Sequence, residues 1–232
     1  MADAPREYRQ QSFARPAGAT EVLLVRHGES RAATAESPFP LVDGHGDPEL
    51  HANGLEQARR VADRLRHEKI DAIYVTNLRR TIETAEPLCE ALGLTPIIER
   101  DLREVHLGEW EGGLLRIKAH ANDPIYQRLV AEQRWDVIPG AESWAALNAR
   151  ITAALARIAQ RHPNQLVVAV VHGGVIAHIL GHATGARTFA FNGADNGSIS
   201  HIVLVGQQIV VRRFNDTAHL THHFNPVPSQ LT

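Results

Sequence analysis

Two continuous apolar runs, each ending in a histidine and a glycine, constrain the fold of this chain more than any other feature. The first run, 22–25, leads into Arg26 and His27, and the second, 166–171, leads into His172 and two glycines. Such runs are typical of strands that are buried on both faces in the centre of a parallel sheet. Because ligands bind beyond the carboxyl ends of these strands, we expect His27 and His172 to lie side by side at a chemically active edge.

The rest of the chain alternates between short apolar runs and helical periodicity. The predicted helices cover 55–65, 78–93, a long stretch starting near Ser143 and a stretch after Gly174; further strands cover 72–75 and 95–98, and a hairpin pairs 202–204 with 209–211. The proline in 95–98 favours an edge position for that strand. This alternation predicts an α/β fold, a three-layer α/β/α sandwich around a mainly parallel sheet with an antiparallel hairpin at one edge.

The length of 232 residues fits one α/β domain. We expect a flexible polar arm over 1–19, a single domain over 20–215 and a tail over 216–232. Within the domain, the stretch 114–137 is predicted to be a helical excursion. It is either a lid that sets substrate preference or plain packing, and the sequence does not choose between the two.

The composition excludes several classes of protein. A net charge of −2 provides no basic surface for nucleic acid or an anionic membrane, and no apolar run approaches the roughly 18 residues that span a bilayer. The first residues lack the apolar core of a signal peptide, so we expect a cytoplasmic protein.

The single cysteine, Cys89, excludes an internal disulfide and a cysteine-ligated metal site, and we expect it in the core. His219, His222 and His223 are expected in a solvated tail rather than at a metal site.

Two further segments bring polar side chains towards the predicted edge. Arg79 and Arg80 follow the second strand, and because adjacent helical residues point about 100° apart, only one of them faces the crevice. A glycine-rich turn adds Glu104, Glu109 and Glu111. Arginine is a permanently charged, forked donor suited to phosphate, and a neutral imidazole acts as nucleophile or proton carrier. These residue types favour phosphate chemistry at this edge of the sheet.

These segments resemble the motifs of the histidine phosphatase superfamily, which contains cofactor-dependent phosphoglycerate mutases and many acid phosphatases. The matching segments follow in family order from residue 22 to about 205: 26–29, 76–85 with Arg80 at the pocket position, 102–112 with Glu104 at the acid position, 139–143, 171–174 and 196–198. Each match is weak by itself, and their shared order makes the set specific.

The resemblance implies a phosphoglycerate mutase-like fold and phosphoryl transfer that needs no cofactor and no metal. The implied catalytic residues are His27, Glu104 and His172. The implied phosphate-binding residues are Arg26, Arg80, His172 and Gly173. His27 would form a phosphohistidine, and Glu104 would protonate the leaving oxygen and then take a proton from water. A carboxyl crowded by other acids keeps its proton to higher pH, which predicts an acidic pH optimum. Glu29, Glu109 and Glu111 are expected to be solvated loop charges.

The first loop departs from the family pattern. The family often has an asparagine six residues after the nucleophilic histidine, and this chain has Ala33 at that position. Either Ser30, a backbone amide or a group from the 43–47 loop replaces that donor, or phosphate is bound more weakly.

We expect a metal-independent phosphatase that acts on a small-molecule phosphomonoester. A cofactor-dependent phosphoglycerate mutase is the first alternative, but the mutases usually have an arginine directly after the acid, and Glu104 is followed by the sequence VHLG. A non-catalytic phosphate-binding or regulatory protein is the lesser alternative, against which the retention of both histidines, Arg26, Arg80 and Glu104 argues. The pattern is compatible with a homodimer and does not require one.

Overall fold

The computed structural model describes residues 7–220; residues 1–6 of the predicted arm and 221–232 of the predicted tail, with His222 and His223, lie outside the described residues. The strands are β1 (Thr20–Arg26), β2 (Leu41–Val42), β3 (His45–Gly46), β4 (Ala72–Val75), β5 (Ile97–Ile98), β6 (Leu166–Val171), β7 (Ile199–Val205) and β8 (Gln208–Asp216). The α-helices are α1 (Ala52–Leu65), α2 (Arg79–Leu92), α3 (Leu114–His120), α4 (Pro124–Glu132), α5 (Trp144–Arg161) and α6 (Gly173–Thr184). Turns of 3₁₀ helix cover Arg100–Leu102, Gly108–Trp110 and Trp135–Val137.

One mixed sheet organises the described part of the chain. Its strand order is β5-β4-β6-β1-β7-β8, in which β1 runs parallel to β6 and antiparallel to β7. The strand β4 pairs parallel with β6 and with β5. The two predicted central strands are neighbours, β5 lies at one edge, and the β7–β8 hairpin closes the other. The predicted fold class is therefore confirmed.

Each face of the sheet carries its own apolar core, because alternate strand residues point to opposite faces. On one face, Leu24 belongs to a buried cluster with the apolar sides of α5 and α6. On the other face, Val25 belongs to a cluster with α1 and α2, and this cluster includes Cys89, as predicted. Each fully buried Leu, Ile or Val side chain contributes about 1.5–3 kcal/mol. The strand ends that position the polar residues are thus held by packing from both sides.

The long connection between β1 and α1 contains a small sheet that the sequence does not predict. In it, β2 pairs antiparallel with β3, and Ser30 forms a bridge to Leu50 near the ends of the connection. The β2–β3 hairpin is therefore an ordered element that can contribute side chains to a site.

The excursion over 114–137 is helical, with α3, α4 and the turn Trp135–Val137. It packs around a third apolar cluster centred on Trp110, Leu129 and Ile138. The region has its own core, and its movement as a lid stays a prediction.

Two helix starts bear on the site. Helix α5 starts directly after Ser143, close to the predicted start, and the Ser143 hydroxyl caps it by accepting the Ala146 N–H at 3.2 Å. Helix α6 begins at Gly173, directly after His172, so both glycines belong to its first turn rather than preceding it. The amino terminus of α6 therefore starts at the end of β6 itself.

The two ends of the described chain differ. Residues 7–18 are exposed and have no regular secondary structure, and their flexibility stays a prediction. Strand β8 ends at Asp216, one residue past the predicted domain end. His219 is not solvated as expected, because it is half-buried and its Nε2 hydrogen-bonds to the Gly197 carbonyl at 2.9 Å. Across residues 7–220, no helix is long and apolar enough to cross a membrane.

Candidate active site

The register of β1 and β6 brings the two predicted histidines together. Arg26 pairs with Val171, and the next residue, His27, donates its backbone N–H to the Val171 carbonyl at 3.0 Å. The rings of His27 and His172 meet edge to face, with centroids 5.2 Å apart. The Asn196 side chain donates to the His27 carbonyl at 2.9 Å and holds this strand end from the side of β7.

The His27 ring has a defined protonation pattern. Its Nδ1 lies 2.7 Å from the Gly28 carbonyl, and because a carbonyl only accepts, Nδ1 carries the proton. Nε2 therefore keeps its lone pair. Burial, together with the positive charges of Arg80 and Arg26, holds the pKa of His27 well below its usual range. His27 is thus a neutral imidazole with a free nitrogen, the form that a nucleophile requires.

Two glycines allow the backbone after His27 to pack closely against α1. A Cβ on Gly28 would lie 2.5 Å from the Gly54 carbonyl oxygen, and a Cβ on Gly54 would lie 2.1 Å from the Glu29 carbonyl oxygen. The Gly28 N–H also donates to the Thr84 hydroxyl at 2.9 Å, which ties the turn to α2. The sequence marks Gly28 but gives no signal for its contact with Gly54.

Two guanidinium groups flank His27. Arg26 donates to the Ala194 carbonyl, and Arg80 donates to the Gly46 carbonyl at 2.8 Å. Burial lowers the pKa of Arg80 to about 10, so this group remains charged at neutral pH. Arg80 is only 7% exposed, whereas the Arg79 side chain is 54% exposed and pairs with Glu83 at 2.9 Å. The structure therefore turns Arg80, and not Arg79, towards the site.

His172 lies deeper than His27. It is fully buried, its Nε2 contacts the Thr76 hydroxyl at 3.2 Å, and its Nδ1 has no hydrogen-bond partner among residues 7–220. Burial and the charge of Arg80 hold the pKa of His172 well below its usual range. A neutral ring with one uncommitted nitrogen can accept or donate one further hydrogen bond.

Glu104 lies against the amino terminus of α6. Its carboxylate accepts the backbone N–H of Gly174 at 3.3 Å and the backbone N–H of the next residue, Val105, at 2.9 Å. A Cβ on Gly174 would lie 2.6 Å from a carboxylate oxygen of Glu104, so a larger residue here would displace the carboxylate. Arg150 of α5 donates to the Glu104 carbonyl at 2.9 Å and fixes the turn. These contacts fix the position of the carboxyl group at the start of α6.

These side chains open into one cavity of about 380 Å³. The predicted site residues that line it are Arg26, His27, Arg80, Glu104 and Gly173. His172 does not line the cavity and reaches it only through its contact with His27. The opposite wall is largely apolar and includes Trp110, Leu115, Tyr126, Leu129, Trp135 and Phe189.

The cavity combines two histidine rings, of which His27 is neutral, with three guanidinium groups and two carboxyl groups. Residues 22–217 match the sequence model of the histidine phosphatase superfamily (branch 1). The chain belongs to the histidine phosphatase superfamily. The prediction of a histidine phosphatase enzyme is therefore confirmed.

Its relatives in this superfamily include proteins named as mutase-like and as phosphatases. The chain is 41% identical over 160 residues to phosphoglycerate mutase-like protein 4 of Arabidopsis thaliana, which covers 67% of each protein. It is 32% identical over 202 residues to phosphoserine phosphatase 1 of Hydrogenobacter thermophilus, which covers 86% of this chain and 94% of that protein. The structure of a mycobacterial glucosyl-3-phosphoglycerate phosphatase with inorganic phosphate matches 90% of this chain and 100% of that one, at 27% identity and a TM-score of 0.71.

The β2–β3 hairpin supplies site residues that sequence reasoning missed in this superfamily member. His45 lines the cavity, and burial lowers its pKa. Asp43 holds the turn, since its carboxylate accepts hydrogen bonds from Asn77, Arg100 and Arg103 at 3.0, 2.6 and 3.2 Å. From the sequence, a group of the 43–47 loop is one possible replacement for the missing asparagine, but the sequence does not single out His45.

The acidic residues of the site separate into different roles. Glu111 lines the cavity and accepts the N–H groups of Gly46 and Leu107 at 2.7 and 2.8 Å, so it is not the solvated charge that the sequence predicts. Glu109 is exposed, and the Glu29 side chain is 46% exposed and accepts a hydrogen bond from Asn53.

Among residues 7–220, no group of three or more His, Cys, Asp or Glu side chains is arranged to hold a metal ion.

Arg116 of α3 is a further residue of the cavity that the sequence analysis missed. It lines the cavity and donates to the Ser30 hydroxyl at 2.8 Å and to the Arg31 carbonyl at 2.9 Å. Ser30, one of the groups considered as a replacement for the asparagine missing at Ala33, thus serves as an acceptor for Arg116. No strand end or motif marks Arg116, because its position depends on the packing of the excursion.

Proposed function

We propose that the protein is a metal-independent phosphomonoester hydrolase that acts through a phosphohistidine on His27. The observation that carries this proposal is the buried, neutral His27 ring, whose Nε2 has no hydrogen bond to the described residues 7–220 and which lines the cavity together with Arg26 and Arg80. A phosphoryl group bound to the two guanidinium groups meets a nucleophile of the correct protonation state.

In the first step, Nε2 of His27 forms a bond to phosphorus while the bond from phosphorus to the leaving oxygen breaks. The peripheral oxygens bind to Arg26, Arg80 and the Gly173 N–H at the start of α6. His172 does not line the cavity and supports the His27 ring through their edge-to-face contact. Glu104 gives its proton to the leaving alcohol oxygen. The products of this step are the free alcohol and the phosphohistidine.

In the second step, water attacks phosphorus and the bond from nitrogen to phosphorus breaks. Glu104, now a carboxylate, takes the proton of that water, and inorganic phosphate leaves. His27 returns to its neutral form, which its depressed pKa favours even in mildly acidic solution. This property supports the expected acidic pH optimum.

A phosphoglycerate mutase is the second candidate, favoured by the 41% identity to a protein named as mutase-like. A mutase would return the phosphoryl group of His27 to a second hydroxyl before water reaches it. The relatives named as phosphatases cover more of this chain, at 86% and 90%, and support hydrolysis. A non-catalytic phosphate-binding role is the lesser candidate, and the neutral, open Nε2 of His27 argues against it.

The substrate that we propose is a small-molecule phosphomonoester, in keeping with the cavity of about 380 Å³. A cytoplasmic location, a homodimer, and the absence of nucleic-acid and membrane partners stay predictions from the sequence.

The test is phosphate release from para-nitrophenyl phosphate between about pH 4 and pH 8 in the presence of a chelator. We expect release that the chelator does not reduce, together with a covalent phosphoenzyme after rapid quenching that is labile to acid and stable to base. Absence of release from the folded protein would contradict the proposal. A mutase assay with a bisphosphate primer would then decide for or against the second candidate.

A further inference from the structure

The segment 101–106, which carries Glu104, has little regular structure of its own. The 3₁₀ turn Arg100–Leu102 ends before Glu104, and residues 103–106 belong to no helix or strand. Leu102 and Val105 hold the segment in the core through their buried side chains. A general acid acts only within hydrogen-bond distance of the oxygen that it protonates. The backbone around Glu104 therefore has to be fixed by groups outside the segment.

Arg150 of α5 fixes this backbone. Its Nη1 donates to the carbonyl groups of Asp101 and Arg103, each at 2.7 Å, and its Nη2 donates to the carbonyl group of Glu104 at 2.9 Å. The Arg150 side chain is only 16% exposed, so water competes little for these hydrogen bonds. One planar guanidinium group thus joins three carbonyl groups of the segment that carries the acid.

Glu142, just before α5, fixes Arg150 in turn. Its carboxylate accepts hydrogen bonds from Nε and Nη2 of Arg150 at 2.7 and 2.8 Å, which is the bidentate arrangement. Its backbone N–H donates to the His106 carbonyl at 2.8 Å, and its carboxylate accepts the His106 N–H at 3.3 Å. Burial raises the pKa of Glu142, but the hydrogen bonds from Arg150 outweigh burial and hold it below its usual value. The charged pair therefore holds the segment 101–106 at both ends.

Arg150 acts on the cavity only through this segment. Its contacts use all five N–H groups of the guanidinium. In the described chain Glu104 lines the cavity and Arg150 does not. On its other side, the Glu104 carboxylate fits so closely against Gly174 that a Cβ there would lie 2.6 Å from it. A shift of the backbone that Arg150 holds would therefore move the carboxyl group relative to the start of α6.

A second arginine of α5 shows what an ion-pair network without this connection looks like. Arg157, about two turns further along the helix, donates to the carboxylates of Glu99 and Asp101 at 2.8 and 2.6 Å. Its side chain is 38% exposed, and within residues 7–220 its hydrogen bonds go to carboxylates and not to backbone carbonyl groups. Arg157 therefore links side chains, whereas Arg150 binds the backbone of the acid itself.

We propose that Arg150, held by Glu142, is a positioning residue that places the carboxyl group of Glu104 for protonation of the leaving oxygen. This inference rests on the proposed phosphatase function, with Glu104 as its acid. Arg150 contacts neither the substrate nor the phosphoryl group. Its loss impairs proton transfer to the leaving oxygen and leaves the attack of His27 on phosphorus intact.

The test is the dependence of kcat/KM on the leaving group. Phenyl phosphate releases a phenol with a pKa of about 10 and needs the acid, whereas dinitrophenyl phosphate releases a stable phenolate that needs no proton. Arg150→Gln should lower kcat/KM for phenyl phosphate about 10- to 100-fold, because the acid is misplaced. For dinitrophenyl phosphate the decrease should be less than about threefold. A merely structural role would lower both values alike.

A double variant shows whether Arg150 acts through the acid. Glu104→Gln removes the acid and should lower kcat/KM for phenyl phosphate about 10²–10⁴-fold, with the same dependence on the leaving group. If Arg150 acts through Glu104, adding Arg150→Gln to Glu104→Gln should lower kcat/KM by less than a further factor of about two. Additive decreases in the double variant would overturn the inference.

Two further variants separate charge and fold from position. Arg157→Gln removes a paired guanidinium group from the same helix and is the matched control, with kcat/KM for both esters within about twofold of wild type. Arg150→Lys keeps a charge beside Glu142 without the planar fork. It should show the same dependence on the leaving group with a smaller decrease, and it carries the test where Arg150→Gln does not fold. The thermal unfolding midpoint of each variant reports on its fold.

Each failure has a distinct meaning. If the folded wild type hydrolyses neither ester, the proposed function fails, and the inference fails with it. If the wild type is active but Glu104→Gln lowers kcat/KM equally for both esters, Glu104 is not the acid and Arg150 has no acid to position, while phosphatase activity stands. Equal decreases for the two esters in Arg150→Gln, or no decrease for either, would overturn the assignment of Arg150 alone.

Discussion

The cavity has two halves of different origin. One half is the sheet edge, where Arg26, His27 and His172 follow the ends of two central parallel strands. The other half consists of the β2–β3 hairpin and the 114–137 excursion, which contribute His45 and Arg116 from loops and short helices. The first half is fixed by strand register and by two apolar cores. The second is held by hydrogen bonds and by a smaller cluster of its own.

Because the two halves are held in place differently, we infer that they have different functions. Chemistry needs atoms held within tenths of an ångström, and a buried sheet edge supplies that rigidity. Recognition of the alcohol part needs a surface that can change without disturbing the nucleophile, and loops and short helices supply it. We therefore expect substitutions at the sheet edge to lower kcat for every substrate, and substitutions in the second half to act mainly on KM and on preference.

The largest effect is expected within the sheet edge, between its two histidines. His27→Gln removes the nucleophile and should lower kcat at least about 10⁴-fold, with no covalent phosphoenzyme. His172→Gln removes the ring that packs edge to face against His27 and should lower kcat about 10²-fold through misplacement of the nucleophile, while the phosphoenzyme still forms. Rapid-quench labelling with a radioactive phosphomonoester measures both. Labelling of His27→Gln would show that another residue carries the phosphoryl group.

The next effect concerns two arginines that are adjacent in sequence. Arg80→Gln should lower kcat/KM about 10²–10³-fold, because a buried guanidinium that faces the phosphoryl site is lost. Arg79→Gln removes a half-exposed side chain that pairs with Glu83 and should change kcat/KM less than about threefold. Steady-state kinetics on para-nitrophenyl phosphate gives both values. Similar decreases in kcat/KM for the two variants would contradict the different roles of the buried and the exposed arginine.

The sheet edge could be predicted from the sequence because it is defined by short segments of consecutive residues. Continuous apolar runs identify buried strands, and the residues that directly follow them must lie at the strand ends, as His27 and His172 do. The resemblance to the superfamily then chose Arg80 over Arg79 and singled out Glu104. Arg116 and the fold of the hairpin around Asp43 could not be predicted, because both depend on contacts between segments more than 30 residues apart along the chain.

A smaller effect should appear in the pH dependence of stability. Burial keeps His27 and His172 neutral in the folded protein, while an unfolded chain binds protons at histidine below about pH 6.5. Because the unfolded state then binds more protons, the free energy of unfolding falls as pH drops below about 6.5, by up to about 1.4 kcal/mol per pH unit for each such histidine. Above that pH these two residues contribute no dependence.

The variant His172→Asn checks this sign. Its free energy of unfolding, measured in urea, should depend less steeply on pH than that of the wild type between about pH 6.5 and pH 5. Above about pH 7 the two proteins should have the same pH dependence. The exposed residue His120 provides a control variant, His120→Asn, with the wild-type slope. A steeper slope in His172→Asn would mean that His172 is charged in the folded protein.

The smallest effect is expected in the second half, at the turn of the hairpin. Asp43 has a φ of +50° and accepts hydrogen bonds from Asn77, Arg100 and Arg103, and the hairpin that it holds presents the Gly46 carbonyl to Arg80. Asp43→Asn is the suitable change, because asparagine tolerates a positive φ that would strain alanine.

The loss of charge in Asp43→Asn weakens two ion pairs of a carboxylate that is 45% exposed. Exposed pairs contribute only about 0.2–1 kcal/mol each, so KM should rise about three- to fivefold with kcat changed less than twofold. Glu36→Gln, an exposed acid in the same connection, is the control and should leave both constants unchanged. A fall in kcat of tenfold or more, with KM unchanged, would show that the hairpin positions the chemistry directly. The division of the cavity into a catalytic and a recognition half would then be wrong, because Arg80 would depend on the hairpin as much as on α2.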